Sequence, residues 1–279
     1  MNKEQTKSIL ITGCSSGIGL CVANGLKDRG HHVIATAKRK EDVTRLQLNG
    51  FDAFHLDLRD SLSIQNAVKE TLNCTKGSLD ALFNNGAFGQ AGALEDISRD
   101  VLREQFESNL FGWHELTNLI LPIMRKQGYG RIIQNSSVLG IVSLPYRGAY
   151  NASKYALEGL TDTLRQELRG SNIHISLIEP GPIKSKFRVN ALASFKRHID
   201  VENSTHKMKY QSLLARLEKP GNASIFTLEP QAVLTKVAHA LEHPKPKIRY
   251  YVTFPTYLFG FLKRILSQRM LDSLTSRVE

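Results

Sequence analysis

A chain of 279 residues, 41% hydrophobic and 23% charged, has the length of one large domain and the make-up of a folded globular protein, not a disordered or fibrous one. Its three cysteines, Cys14, Cys21 and Cys74, have no paired spacing and no accompanying histidine cluster, which argues against a disulfide framework and a zinc site. The net charge of +11 is lopsided: residues 1–183 carry 20 basic and 19 acidic side chains, residues 184–279 carry 17 and 7.

The opening MNKEQTK runs straight into an apolar strand, so no signal peptide is expected, and no run reaches the length of a membrane span. That strand, 8–12, leads into Thr12-Gly13-Cys14-Ser15-Ser16-Gly17-Ile18-Gly19 and a helix over 17–29. Glycines let a backbone turn tightly and approach a phosphate, and a helix N-terminus offers free N–H groups to a pyrophosphate. The spacing GxxxGxG differs from the dinucleotide fingerprint GxGxxG, and a plain strand–turn–helix corner is the alternative. Cys14 is either a thiol whose oxidation affects this loop or a small buried one.

A second strand over 32–37 ends in Ala37-Lys38-Arg39-Lys40. An NAD site has an acidic residue about twenty residues beyond the loop, for the ribose 2′-hydroxyl. Ala37 stands there instead, and Lys38 and Arg39 suit a 2′-phosphate. NADP(H) is favoured over NAD(H); a solvated basic loop is the alternative. Strands over 52–57 and 79–84 and helices over 41–49 and 61–75 follow. A helix over 99–127 contains Asn109, where asparagine is a mediocre helix former. The strand over 130–136 ends in Asn135-Ser136-Ser137 at the sheet edge where open α/β sheets place their ligands.

Strands such as 81–83 and 131–133 are continuously apolar, as in a parallel sheet covered on both faces. Alternation with helices makes the fold class α/β, a Rossmann-type doubly wound sheet. A helix over 149–170 begins with Tyr150-Asn151-Ala152-Ser153-Lys154, which sets a phenol and an ammonium on one face. An ammonium about 4 Å from a phenol at an effective dielectric near 20 is worth on the order of 4 kcal/mol, or about three pKa units. That brings tyrosine toward the range of a general acid or base. A lone YxxxK is nearly uninformative; its company gives it meaning.

After a strand over 172–178 and Pro180-Gly181-Pro182, residues 184–228 are polar and basic, and a substrate lid is expected there. Phe187, Val189, Leu192, Phe195, Met208, Leu213 and Leu214 supply either its apolar walls or ordinary core. A helix over 229–243 and a strand over 249–253 precede a basic amphipathic helix over 254–279. On it Leu258, Phe259, Phe261, Leu262, Ile265 and Leu266 are expected on one face, with Lys263 and Arg264 opposite. Such a helix can lie in a membrane interface, cap the pocket or bury itself between subunits. With no repeat or linker, residues 1–279 are taken as one domain. Residues 1–183 form its cofactor-binding and catalytic core.

Taken together, TGCSSGIG, Asn84-Asn85-Gly86-Ala87, Asn109, Ser137, Tyr150, Lys154 and Pro180-Gly181 resemble the short-chain dehydrogenase/reductase family over nearly the whole chain. The stretches around 35–39 and 179–183 and the long tail look like the branch of 17β-hydroxysteroid and retinol dehydrogenases with their bacterial aldehyde-reductase relatives. The resemblance implies sheet order 3-2-1-4-5-6-7. It implies that Tyr150 exchanges a proton with the substrate oxygen and Ser137 hydrogen-bonds that oxygen. Lys154 is implied to lower the tyrosine pKa and hold the nicotinamide ribose, and Asn109 to hold a relay water. Gly13, Ser15, Ser16, Gly17, Ile18, Gly19, Lys38, Arg39, Asp57, Leu58, Asn84, Gly86, Pro180, Gly181 and Ile183 are implied to bind the cofactor, with no metal.

Where that family has Asn-Asn-Ala-Gly, this chain has Asn-Asn-Gly-Ala, which puts the adenosine contact in doubt. The expected substrate is a small hydrophobic carbonyl or alcohol, the expected assembly a homodimer or homotetramer, and the location cytoplasmic, with membrane contact open. The rivals are a 3-oxoacyl carrier-protein reductase and a non-catalytic NADP(H)-binding regulator. No nucleic-acid-binding motif is visible.

Overall fold

A computed structural model describes residues 6–276 except Pro220 and Ala223. Residues 1–5 and 277–279 lie outside the described residues, and with them most of the segment on which the signal-peptide expectation rests. The strands are β1 (Ser8–Ile11), β2 (His32–Ala37), β3 (Asp52–His55), β4 (Ala81–Asn84), β5 (Gly130–Asn135), β6 (Ile173–Glu179) and β7 (Arg249–Tyr251). The helices are α1 (Gly17–Asp28), α2 (Lys40–Leu48), α3 (Ser61–Cys74), α4 (Arg99–Phe106), α5 (Gly112–Gln127), α6 (Gly148–Glu167), α7 (Phe187–His198), α8 (Lys207–Glu218), α9 (Gln231–Glu242), α10 (Phe254–Ile265) and α11 (Gln268–Thr275).

All seven strands lie in one parallel sheet of order β3-β2-β1-β4-β5-β6-β7, as expected. Alternate residues of each strand enter opposite layers, which is why the strands read as unbroken apolar runs. Ile9, Ile11, Ala35 and Phe83 meet Val22 and Leu26 of α1, Leu46 of α2 and Val237 of α9. Leu10, Ile34, Leu82 and Ile132 face the other way, onto Ile64 and Val68 of α3 and Leu116 and Ile120 of α5. Truncating such a buried leucine or isoleucine to alanine costs about 2–5 kcal/mol, so both layers hold the carboxyl ends of β1, β4 and β5 in place.

The helix expected over 99–127 is interrupted. Between α4 and α5, residues Glu107–Phe111 form a π-turn with Asn109 near its middle. An extra residue in the turn shifts the helix phase, and such turns often mark functional positions.

The lid divides the seven apolar residues assigned to it. Phe195 and Leu213 join Tyr210, Ala91 and Ala93 in a core of the lid's own, with Leu214 packed against it. The Tyr210 hydroxyl accepts from Ala93 N at 2.9 Å and donates to Asp96. Val189 and Met208 are exposed. Leu192 is half-buried, and Phe187 reaches the catalytic region.

The tail corrects two expectations. The helix foreseen over 254–279 is two helices, α10 and α11, separated where Leu266 takes an extended backbone. Nor do its apolar residues share one face with Lys263 opposite. Phe259 and Leu262 pack inward against Val138, Ile141, Val142 and Leu271, while Leu258, Phe261 and Ile265 are exposed. At about 100° per residue the two sets fall on different flanks. Lys263 turns inward too, donating to Ile141 O at 2.5 Å and standing 4.6 Å from the Tyr155 ring centre.

Candidate active site

The loop after β1 is bound to the loop after β4. Thr12 Oγ1 accepts from the N–H groups of Asn85 and Gly86, both at 2.8 Å. The Asn85 side-chain amide donates to Thr12 O at 2.9 Å and, more loosely, to Gly13 O. Gly13 has φ +72°, and a Cβ there would stand 2.6 Å from Gly86 Cα; one on Gly19 would stand 2.2 Å from Gly13 O. No side chain larger than hydrogen fits either place. Ser16 caps α1 without a side-chain hydrogen bond to it, so its hydroxyl and the first N–H groups of the helix remain available to an anion. Cys14 is fully buried, donates to Ile11 O, and burial pushes its thiol pKa up to about 12, which suits the reading of a small buried thiol.

Asn84 is fully buried and its amide donates to Thr117 on α5 at 3.1 Å. Its neighbour Asn85 is the one that faces the glycine loop. Leu58 lies beside Gly86, where a Cβ would sit 3.4 Å from Leu58 Cδ1. At the end of β2, Lys38 pairs with Asp57 at 3.0 Å, and Arg59 also reaches Asp57. Burial raises the Asp57 pKa, but these cations outweigh it and hold the carboxyl below its ordinary value. Arg39 caps α2, and its exposed side chain has no partner among the described residues. Arg45 donates to Ser15 O at 2.8 Å.

Tyr150 and Lys154 open α6, as the YxxxK spacing requires. Lys154 is 1% exposed, donates to Asn135 O at 2.7 Å and lies 4.3 Å from the Trp113 ring centre. Its two other N–H donors have no acceptor among the described residues. Burial draws its pKa down to about 7, opposed by Glu158 one turn away. Burial also pushes the Tyr150 phenol above its ordinary value, with a Ser137 hydrogen bond pulling the other way. The expected lowering of the phenol by the ammonium is therefore absent in the protein alone. Lys154 Nζ is 5.6 Å from the phenol ring centre, and removal from water outweighs the attraction.

Ser137 begins a short 3₁₀ turn and accepts from Leu139 N at 3.1 Å. Asn109, fully buried, accepts from Phe88 N at 3.2 Å and donates to Phe88 O at 2.9 Å, with a longer contact to Ser153. Phe187 of α7 closes the group: its ring centre lies 5.2 Å from that of Tyr150, at 62°. Gly181 follows β6 so tightly that a Cβ would stand 2.2 Å from Thr253 Oγ1. Pro180 O accepts from Val138 N, and Ile183 bridges to Leu228, closing the lid's two ends together.

Residues 7–194 match the protein family described as short chain dehydrogenase. The chain belongs to that family. It is 46% identical over 272 residues to the uncharacterized oxidoreductase YbbO of Escherichia coli, covering 98% of this chain and 95% of that protein. It is 32% identical to human 17-beta-hydroxysteroid dehydrogenase type 1, covering 88% and 77%. A solved short-chain dehydrogenase from Streptomyces avermitilis superposes with TM-score 0.79 at 29% identity, covering 99% of this chain and 98% of that one. This short-chain dehydrogenase is thus an oxidoreductase, in keeping with the resemblance carried by its motifs.

Several residues around this short-chain dehydrogenase site escape a sequence-only argument. Trp113 donates to Gly86 O at 2.9 Å beneath Lys154; being the chain's single tryptophan, one turn past Asn109, was its available signal. Asn135 Nδ2 donates to Asn85 Oδ1 at 3.0 Å, so one asparagine chain links the glycine loop to the oxygen that holds Lys154. Behind α6, Arg249 of β7 bonds Glu158, Glu179 at 2.7 Å and Asp162 at 2.6 Å. Glu158 also accepts from Ser136. Nothing in the spacing of 158, 162, 179 and 249 announces that cluster. On the opposite edge of the sheet His32, Asp52 and Cys74 bring ligand-type atoms within 4.8 Å of one another, a grouping no sequence spacing predicts. There His32 Nε2 and Asp52 Oδ2 stand in hydrogen-bond contact at 2.6 Å, half exposed.

Proposed function

We propose that this short-chain dehydrogenase uses NADP(H) to interconvert a hydrophobic aldehyde or ketone and its alcohol, with Tyr150 as general acid and base. One observation carries the proposal: Ser137, Tyr150 and Lys154 converge at the carboxyl edge of the sheet, beneath the aromatic cover of Phe187. The glycine turn is shaped for a group that needs close backbone approach, since the atoms around Gly13 and Gly19 leave no room for a Cβ. Gly13, Ser15, Ser16, Gly17, Ile18 and Gly19 would hold the pyrophosphate. Asp57, Leu58 and Gly86 would border the adenosine, and Pro180, Gly181 and Ile183 the nicotinamide. Lys38 and Arg39 would meet the 2′-phosphate. When bound, the nucleotide supplies or takes up hydride.

The chain's own residues manage the proton. A half-buried phenol with a raised pKa stays protonated at neutral pH, which is the form that reduction consumes as charge builds on the substrate oxygen. Ser137 donates to that oxygen and steadies it. Lys154, whose other donors find no acceptor among the described residues, would hold ribose hydroxyls. Held near pKa 7, it becomes charged as ligands bring oxygen acceptors to it, and then lowers the phenol for the reverse reaction. Asn109, in contact with Ser153 beside Lys154, would hold the water that returns protons. Phe187 covers one side of Tyr150 edge-on and presents an apolar wall. Steady-state turnover of long-chain aldehydes, retinal and steroid ketones with NADPH and with NADH tests the proposal. No turnover across that panel, with NADPH bound, would sink it.

A further inference from the structure

The outer arc of α10 is apolar and, among the described residues, largely exposed. Phe254, Tyr257, Leu258, Phe261 and Ile265 follow one another at helical spacing and are all exposed, Phe261 at 62% and Ile265 at 60%. Met270 and Leu274 continue the exposed surface on α11. Phe226, from the end of the lid, stacks on Phe254 with ring centres 5.3 Å apart, and the adjacent Ile225 is fully out in solvent. The inward arc of α10 is already satisfied by Phe259, Leu262 and Lys263, so the outer arc is not surplus core. Contiguous exposed apolar surface of this kind marks an interaction face on a soluble fold.

Cations stand at its border. Lys236, Lys247 and Arg264 bound a depression together with Tyr251 and Tyr257, and Tyr257 belongs to the apolar arc as well. None of the three has an acidic partner among the described residues, whereas Arg249 beside them is held by Glu158, Glu179 and Asp162. An apolar helical face with unpaired cations at its rim suits a surface with acyl chains below and phosphates above. A second copy of the chain suits it poorly, because a two-fold contact would press like charges together. No helix among the described residues is long and apolar enough to cross a bilayer.

We propose that the α10–α11 face docks the protein on an anionic membrane surface. Phe261 and Ile265 enter the acyl boundary, and Lys236, Lys247 and Arg264 take lipid phosphates. The lid end at Phe226 would then stand at the interface. Docking does not depend on the identity of the reaction, so it is measured by binding alone.

The test is co-sedimentation of the full chain with phosphatidylglycerol–phosphatidylcholine vesicles and with phosphatidylcholine vesicles. Circular dichroism verifies the fold of each variant. Binding is expected to the anionic vesicles only, and to be lost in salt near 1 M, where charges are screened within about 3 Å. Removing two surface cations in Lys236→Gln/Lys247→Gln should weaken it about thirtyfold, at about 1 kcal/mol each. The exposed pair Phe261→Ser/Ile265→Ser should weaken it about tenfold or more. Failure of the wild-type chain to sediment with anionic vesicles overturns the proposal, as does equal binding to phosphatidylcholine. So does a wild-type dimer in sedimentation velocity that Phe261→Ser/Ile265→Ser converts to monomer with no vesicle binding by either.

Discussion

The ring of Phe187 stands edge-on to Tyr150, centre to centre 5.2 Å and 62° between planes. A lid residue thus touches the residue that moves the proton. Gly89 lies against the same ring, and a Cβ on it would come within 2.5 Å of Phe187 Cζ. The lid helix α7 is therefore seated directly on the catalytic group.

Phe187→Ala removes that cover while leaving the lid's own core of Phe195, Tyr210 and Leu213 intact. KM for bulky hydrophobic carbonyls should rise about threefold to tenfold, the scale of losing one partly exposed aromatic contact, with NADPH binding unchanged. Steady-state kinetics against a small and a large aldehyde check this. An equal effect on both substrates would show that Phe187 does not shape the pocket.

Lys38 is paired with Asp57 at 3.0 Å but is half exposed, and Arg39 beside it has no partner among the described residues. Lys38→Ala should weaken NADPH binding about tenfold or more, since hydrogen bonds to charged groups contribute about 1.5–3 kcal/mol. NADH should be nearly unaffected. Fluorescence titration with both nucleotides measures the ratio, and a parallel loss for both would remove Lys38 from the 2′-phosphate site.

At Gly19 an added Cβ would meet Gly13 O at 2.2 Å. Gly19→Ala should destabilise the fold by about 1–3 kcal/mol, the usual scale of overpacking, and abolish nucleotide binding. Denaturant unfolding and nucleotide titration report the two effects separately.

Lys154 falls from 10.5 to about 7 on burial. Between those values the unfolded chain holds the proton and the folded chain does not, so stability from this group rises with pH across the window. It is lost as pH falls toward 7. The nucleotide-free wild type should gain Tm with pH relative to Lys154→Met, which lacks the titration; identical slopes for the two proteins would contradict it.

The sheet was legible because strands such as 81–83 are apolar without interruption and alternate with amphipathic helices, a pattern fixed by local periodicity. Boundaries moved by one to three residues, since caps and bends decide them. The glycine turn and the YxxxK pair were legible because each lies within a few residues of chain. The Arg249 cluster and the Asn85–Asn135 link were not, because they join residues far apart in sequence. The tail misled for a different cause: Leu258 and Phe259 are equally apolar, and only packing against Ile141 and Leu271 decides which one turns inward. In the nucleotide-free protein burial outweighs the expected lowering of Tyr150, because a sequence shows the partner four residues on but not the removal of both groups from water.

The central claim is tested most directly by NADPH consumption with a hydrophobic aldehyde, wild type beside Tyr150→Phe, with nucleotide binding followed by fluorescence. Wild type should turn over with NADPH in preference to NADH. Tyr150→Phe should bind NADPH normally and lose turnover by about a hundredfold or more, the scale of general acid catalysis. Near-normal turnover by Tyr150→Phe would contradict the account.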